Sequence, residues 1–343
     1  MAHRNNVQQS DLLDDPFRER LPATRREHLQ LLGARFEFES NSRQLLELAD
    51  SAYAGLPEHR FTGPPPRLKV RLELLSRRRP RTQAEPPLLG MLSGAGFLCG
   101  ATDASNCVVV SPAERAALVV VSQDMLRFPY HTRFELIEFA VYTLAARVQK
   151  LVSLHAACVA SKGRGALLIG ASGSGKSTVA LHCLLRGFDF LSEDSAFVAP
   201  HGMLATGIPN FLHVRPNCLR FLARTADAAM IRKSPVIRRR SGVEKFEVDL
   251  RRPAYRLAAA PLKLHALIFL SRDSAGSGPL FVPLRKSKLL ANLRASQPYA
   301  ANQPEWAAFE RGAACLNAFE LRRGRHPRAA VDALQELLGS RAR

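Results

Sequence analysis

Hydrophobic and polar positions alternate most cleanly at Leu68, Val70, Leu72 and Leu74, which interleave with Lys69, Arg71 and Glu73. A period of two marks a half-buried strand. Phe36 and Phe38, set between Glu37 and Glu39, predict another strand, and Leu45, Leu46, Leu48 and Ala49 a short helix. Val108–Val110 and Leu118–Val121 predict a hairpin around Ser111-Pro112. Thr132-Arg133-Phe134-Glu135 fits a capping box. Phe134, Ile137, Val141, Leu144 and Val148 then recur at helical spacing, predicting a helix of about four turns. Residues 1–30 are polar, rich in Arg and Glu, and expected to be loose or partly helical.

The second half has denser apolar runs. Leu151–Ala160, carrying His155, reads as one strand, and Lys162–Gly165 as a turn. Ala166-Leu167-Leu168-Ile169 reads as a strand buried on both faces. Val179, Leu181, Cys183, Leu184 and Leu185 give a helix that Arg186-Gly187 ends. Phe188–Leu191 is a further strand, leading into Ser192-Glu193-Asp194. Later strands are expected at Phe211–Val214, Phe246–Leu250, Leu264–Leu270, Phe281–Leu284 and Ala318–Leu321, and a closing helix from His326-Pro327. The succession predicts an α/β chain: a small N-terminal α/β module over residues 1–147 and a nucleotide-binding domain over 148–343.

The chemistry is concentrated in Gly170-Ala171-Ser172-Gly173-Ser174-Gly175-Lys176-Ser177-Thr178, which fits G-x-x-x-x-G-K-[ST]. Gly173 and Gly175 can adopt backbone angles closed to other residues, so that successive N–H groups turn inward and form an anion nest. Lys176 adds a charge for the β- and γ-phosphates, and the Ser177 hydroxyl can ligate Mg²⁺. The predicted strand before the loop and helix after it are the context the motif needs. All nine residues are therefore expected to hold ATP. Glu193 and Asp194 follow Lys176 by 17 and 18 residues, a gap that one helix and one return strand fill. That spacing puts them at the carboxyl end of a strand, where α/β sheets bind ligands. One carboxylate can hold Mg²⁺ while the other accepts a proton.

Composition narrows the function classes. The 343-residue chain is 46% hydrophobic and carries a formal net charge of +19, which admits a nucleic-acid or acidic partner. No aromatic–basic motif of a nucleic-acid fold appears, so nucleic acid ranks last among the partners. The six cysteines form neither C-x-x-C nor a zinc spacing. Buried thiols in a reducing cytosol are the simplest reading. No apolar run approaches a membrane span, and Met1–Asp14 has no apolar signal core. The expectation is a cytoplasmic protein without membrane contact; homo-oligomerisation stays open. Arg77-Arg78-Arg79-Pro80-Arg81 is expected to be a solvated loop rather than a phosphate site. Residues 231–252 are the most basic stretch, and in it Arg240 and Lys245 are placed near the γ-phosphate or an acidic substrate, with a plain solvated loop as the alternative.

Leu154-His155-Ala156-Ala157, the Gly170–Thr178 loop, Arg186-Gly187 and the Glu193-Asp194 pair resemble the catalytic domain of bacterial HPr kinase/phosphorylase. More closely they resemble the HPr-kinase-related serine kinases that share its phosphoenolpyruvate-carboxykinase-like fold. The resemblance covers about residues 150–200. It implies a mixed sheet with helices, ATP and Mg²⁺ as cofactors, Glu193 as catalytic base, His155 orienting it, and Asp194 on the metal. The family's usual pair is Asp-Asp, and Glu usually stands where this chain has Thr178. Its glycine-rich signature near the C-terminal part of the domain is also missing. These departures point away from HPr and toward another protein or peptide. The expected function is an ATP- and Mg²⁺-dependent kinase phosphorylating a hydroxyl, a serine of a protein or peptide. The alternative is a regulatory nucleotide-binding ATPase with no phosphoacceptor.

Overall fold

Seven strands of the first half form one mixed sheet: β1 (Arg25–Leu31), β2 (Ala34–Ser40), β3 (Arg67–Leu75), β4 (Gly90–Gly94), β5 (Phe97–Asp103), β6 (Asn106–Ser111) and β7 (Ala116–Ser122), in the order β1-β2-β3-β7-β6-β5-β4. The computed structural model describes residues 21–76, 88–103, 105–222 and 225–339. Of the sequence expectations, residues 1–20 and the Arg77–Arg81 run lie outside these. The alternation in β3 works as its pattern predicts: Leu68, Val70 and Leu72 are buried. They face α1 (Arg43–Tyr53), which crosses from β2 to its parallel neighbour β3, and a helical run from Pro129 that ends in α2 (Glu138–Val148).

Residues 25–31, expected to be loose or helical, are a strand, because they pair along the whole of β2. Thr132 does not cap a helix. It lies inside the run, at the start of a π-helical turn over Thr132–Ile137, and its hydroxyl donates to the Met125 carbonyl at 2.9 Å. The helix had already begun at Pro129, whose fixed φ suits a first turn.

The second sheet takes β8 (Val152–Leu154), β9 (Ala156–Ser161), β10 (Arg164–Ile169), β11 (Asp189–Ser192), β12 (Ala196–Ala199) and β13 (Leu204–Gly207). Beside it lies a three-stranded antiparallel sheet of β14 (Phe211–Val214), β15 (Val236–Arg238) and β16 (Glu244–Asp249). The chain then returns to the larger sheet with β17 (Leu262–Ser274), β18 (Phe281–Pro283) and β19 (Asn317–Arg323). At its centre β10, β17 and β19 run parallel, and β9 and β11 flank them.

The apolar runs follow from helices on both faces of this sheet. Ala166 and Leu168 of β10 face α3 (Lys176–Leu185) and α7 (Pro327–Gly339). Leu167 and Ile169 face the opposite way, toward α5 (Lys286–Ser296) and α6 (Trp306–Ala313). A strand covered on both sides needs no polar face. The remaining helix, α4 (Ala226–Arg232), is capped by Thr225, whose hydroxyl accepts from the Ala228 N–H at 3.2 Å. The expected strand Leu151–Ala160 is two strands, broken at His155: β8 pairs with β12, whereas β9 pairs with β10 and β11.

Candidate active site

The Gly170–Thr178 loop joins the end of β10 to the start of α3. Gly170 has no room for a side chain: a Cβ there would collide with the Ser174 hydroxyl and lie 3.1 Å from Leu270 Cβ. Gly173 and Gly175 sit at φ 81° and 103°, in the left-handed region, and Gly175 is the residue from which α3 starts. Ser174 Oγ is buried and has no hydrogen-bond partner among the described residues. Residues 171–178 line a cavity of about 860 Å³, whose floor includes Leu270 and Ser271 of β17 and Leu321 of β19. It opens at the carboxyl ends of the parallel strands, the position where α/β sheets take ligands.

β11 runs in the same direction as β10, since both are antiparallel to β9. Its end therefore delivers Glu193 and Asp194 to the loop side, where their surroundings differ. Asp194 lines the cavity, forms an ion pair with Lys176, and lies 3.3 Å from His155 Nδ1. Glu193 is buried, with 5% of its surface exposed, and does not line the cavity. It accepts a hydrogen bond from Ser177 Oγ at 2.6 Å and lies 3.0 Å from His213 Nδ1. Burial pushes the Glu193 carboxyl up, but His213, Lys245 and the Ser177 hydroxyl outweigh it and hold it below the usual carboxylate range.

His213, on β14, was not among the expected site residues. Its Nε2 lies 3.2 Å from Glu247 Oε1 on β16, and Glu247 forms an ion pair with Arg133 from the first half of the chain. Burial disfavours the imidazolium, yet its two carboxylate partners raise its pKa. In the imidazolium form the ring nitrogens can donate to Glu193 and Glu247, while the Arg239 guanidinium, 3.3 Å from Nδ1, opposes that charge. Gln297, after α5, was also missed. Its Oε1 accepts from the His155 N–H at 2.8 Å, and its Nε2 donates to the His155 carbonyl at 3.1 Å. Gln297 thus closes the backbone break between β8 and β9 and fixes where the imidazole starts. Burial lowers the His155 pKa, with Asp194 opposing it.

The basic stretch divides. Lys245, on β16, lines the cavity. Arg240 does not line it; its guanidinium forms an ion pair with Glu135 on the Thr132–Ile137 turn. The neighbouring Arg239 is the one that faces the cavity, its guanidinium 4.7 Å over the Phe134 ring. The sequence held a clue to this division: Ser241-Gly242 turns the chain, and flanking residues then point to opposite sides.

The donor set fits a magnesium nucleotide in three respects: a glycine cradle, an unpartnered Ser174 hydroxyl, and Ser177 bonded to a carboxylate. Among the described residues no group of three or more His, Cys, Asp or Glu side chains is arranged to hold a metal. A cation here would draw most of its oxygen ligands from phosphate and water, as Mg²⁺ does. No helix of the described residues is long and apolar enough to cross a membrane.

No protein-family model matches the chain, and no curated protein matches its sequence. Among solved structures it is similar to the HPr(Ser) kinase/phosphatase from Coxiella burnetii. That likeness has 11% sequence identity, covers 54% of this chain and 95% of that one, and has a TM-score of 0.29. It is weak, and the functional reading rests on the site's own geometry.

Proposed function

We propose that this protein is an ATP- and Mg²⁺-dependent kinase of the phosphate-loop class, resembling HPr-kinase-related serine kinases, that transfers phosphate to a hydroxyl of a protein or peptide. The carrying observation is a cavity in which the Gly170–Thr178 loop, Lys176, Asp194 and His155 meet. The loop N–H groups and Lys176 would hold the triphosphate, and the Ser177 hydroxyl, oriented by Glu193, would hold Mg²⁺. Bound there, the ion would neutralise charge on the transferring phosphoryl group.

The environments favour an exchange of the roles expected from the family resemblance. Glu193 is buried and already accepts from Ser177, so a hydroxyl in the cavity has no path to it. Asp194 stands on the cavity wall. In this reading Asp194 accepts the proton of the attacking hydroxyl, His155 orients Asp194, and Lys176 leaves Asp194 for the phosphates when nucleotide binds.

The test is phosphate transfer from γ-labelled ATP to acceptors in a lysate of the protein's own source, followed by mass spectrometry. Wild type should label a hydroxyl side chain. Asp194→Asn should bind ATP normally and transfer about 10²–10⁴-fold more slowly, the usual share of a general base. ATP hydrolysis by wild type with no labelled acceptor would favour the regulatory ATPase instead.

A further inference from the structure

The cavity is far more basic than a nucleotide site needs. Eight lysine or arginine side chains line it, against one carboxylate, Asp194, among the described residues. Lys176 is matched by Asp194. Three of the others come from the small β14-β16-β15 sheet: Arg215 directly follows β14, Arg239 follows β15, and Lys245 lies on β16. No acidic side chain forms an ion pair with any of the three among the described residues. Arg240, one residue from Arg239 but outside the cavity, does have a partner in Glu135. Of this adjacent pair, the arginine outside the cavity is neutralised by the fold and the one that lines it is not.

The three cations also crowd one another. Burial lowers the Lys245 pKa, and Arg239 and Arg215 add to that against Glu193 and Asp194. Arg239 Nε is buried with no hydrogen-bond partner, although a terminal guanidinium nitrogen lies 3.3 Å from His213 Nδ1, and Arg239 lies within electrostatic reach of His155. All three cations line the same cavity as Asp194 and His155, where an acceptor hydroxyl must approach. Like charges held together in a partly desolvated wall cost free energy unless an anion joins them.

We propose that Arg215, Arg239 and Lys245 form a binding site for an anionic group on the phosphoacceptor, a carboxylate or phosphate close to the hydroxyl that is phosphorylated. This rests on the kinase reading above and names its acceptor class. Planar guanidinium groups suit carboxylate and phosphate oxygens bidentately, so the wall would select the acceptor by charge and hold it beside Asp194. An acidic segment of a protein and a small hydroxy acid carry the same recognisable chemistry.

The experiment is calorimetric titration of the full chain saturated with Mg²⁺ and a non-hydrolysable ATP analogue. The probes are a blocked Asp-Asp-Ser-Asp-Asp peptide, its Gly-Gly-Ser-Gly-Gly counterpart, glycerate and glycerol. At least one charged probe should bind about tenfold or more tighter than its neutral counterpart. Arg215→Gln and Lys245→Gln should each lose about tenfold for that probe, as loss of a charge-assisted contact does, and keep analogue affinity within about twofold. Tight peptide with weak glycerate supports the protein or peptide acceptor, and the reverse would keep the anion site but replace that acceptor with a small hydroxy acid. Charged probes binding no better than neutral ones, or substitutions that weaken the analogue as much as the probe, would overturn the assignment. Wild type failing to bind the analogue at all would instead overturn the kinase reading, and this assignment with it.

Discussion

Glu193 and Asp194 are adjacent in the chain and opposite in environment. One is buried between Ser177 and His213, and the other is on the cavity wall beside Lys176 and His155. The pair itself was legible from its distance to the loop lysine. Which member faces the cavity was not, because the strand ends before them and the turn decides direction. If Glu193 supports the metal through Ser177, Glu193→Gln should raise the Mg²⁺ needed for half-maximal ATP binding by about 10- to 100-fold. An unchanged Mg²⁺ requirement in a calorimetric titration would remove it from that role. His213 was equally hidden, since a lone His in an apolar strand gives no sign of two buried carboxylates from distant segments. Its raised pKa makes its contribution to stability full below about 6.5 and lost as pH rises through the folded value. Glu193 has the opposite sign: its contribution is present above about 4.5 and lost as pH falls through a value below the carboxylate range. Melting temperature should therefore fall more steeply above pH 6.5 in wild type than in His213→Gln. Parallel curves would contradict the pairing.

At the scale of elements, the strand–loop–helix unit was legible because each part has a local cause: a two-faced apolar strand, glycines at positive φ, and a periodic helix. Gly175 permits a direct check. Nothing lies within 4 Å of a Cβ built there, so Gly175→Ala meets only the torsional cost of φ 103°. That cost is about 1–3 kcal/mol, and ATP affinity should fall as the loop relaxes toward ordinary angles. A variant with unchanged ATP affinity and unfolding midpoint would show that the loop does not need this conformation. The broken strand at His155 was not legible, because β8 and β9 read as one apolar run. The break depends on Gln297, 142 residues away. The capping-box expectation failed for a related reason: helix start is fixed at Pro129 by the preceding turn, and Thr132 is left to bond Met125.

Across the whole molecule, the first half of the chain is tied to the second by polar contacts that no local pattern announces. Arg133 reaches Glu247, and Glu135 reaches Arg240. His59 Nδ1 lies 2.7 Å from Thr206 Oγ1 and its Nε2 2.9 Å from the Ala258 carbonyl, with 2% of the residue exposed. His59→Ala would strand both partners, at about 1–3 kcal/mol. The single tryptophan, Trp306, is buried in the second half and reports on it. Its fluorescence should show a lower denaturant midpoint in His59→Ala. An unmoved midpoint would contradict a stabilising role for the His59 contacts.

Phosphate transfer requires the Gly170–Thr178 loop to hold the triphosphate of ATP, and calorimetric titration of Mg²⁺–ATP into wild type and Lys176→Ala tests this most directly. Lys176 is buried against Asp194, so the variant's circular dichroism should be compared first to establish that it is folded. Wild type should bind saturably at one site, and folded Lys176→Ala should lose at least about tenfold in affinity, as removal of a charge-assisted phosphate contact does. Equal affinity of the two proteins, or no binding by wild type, would contradict it.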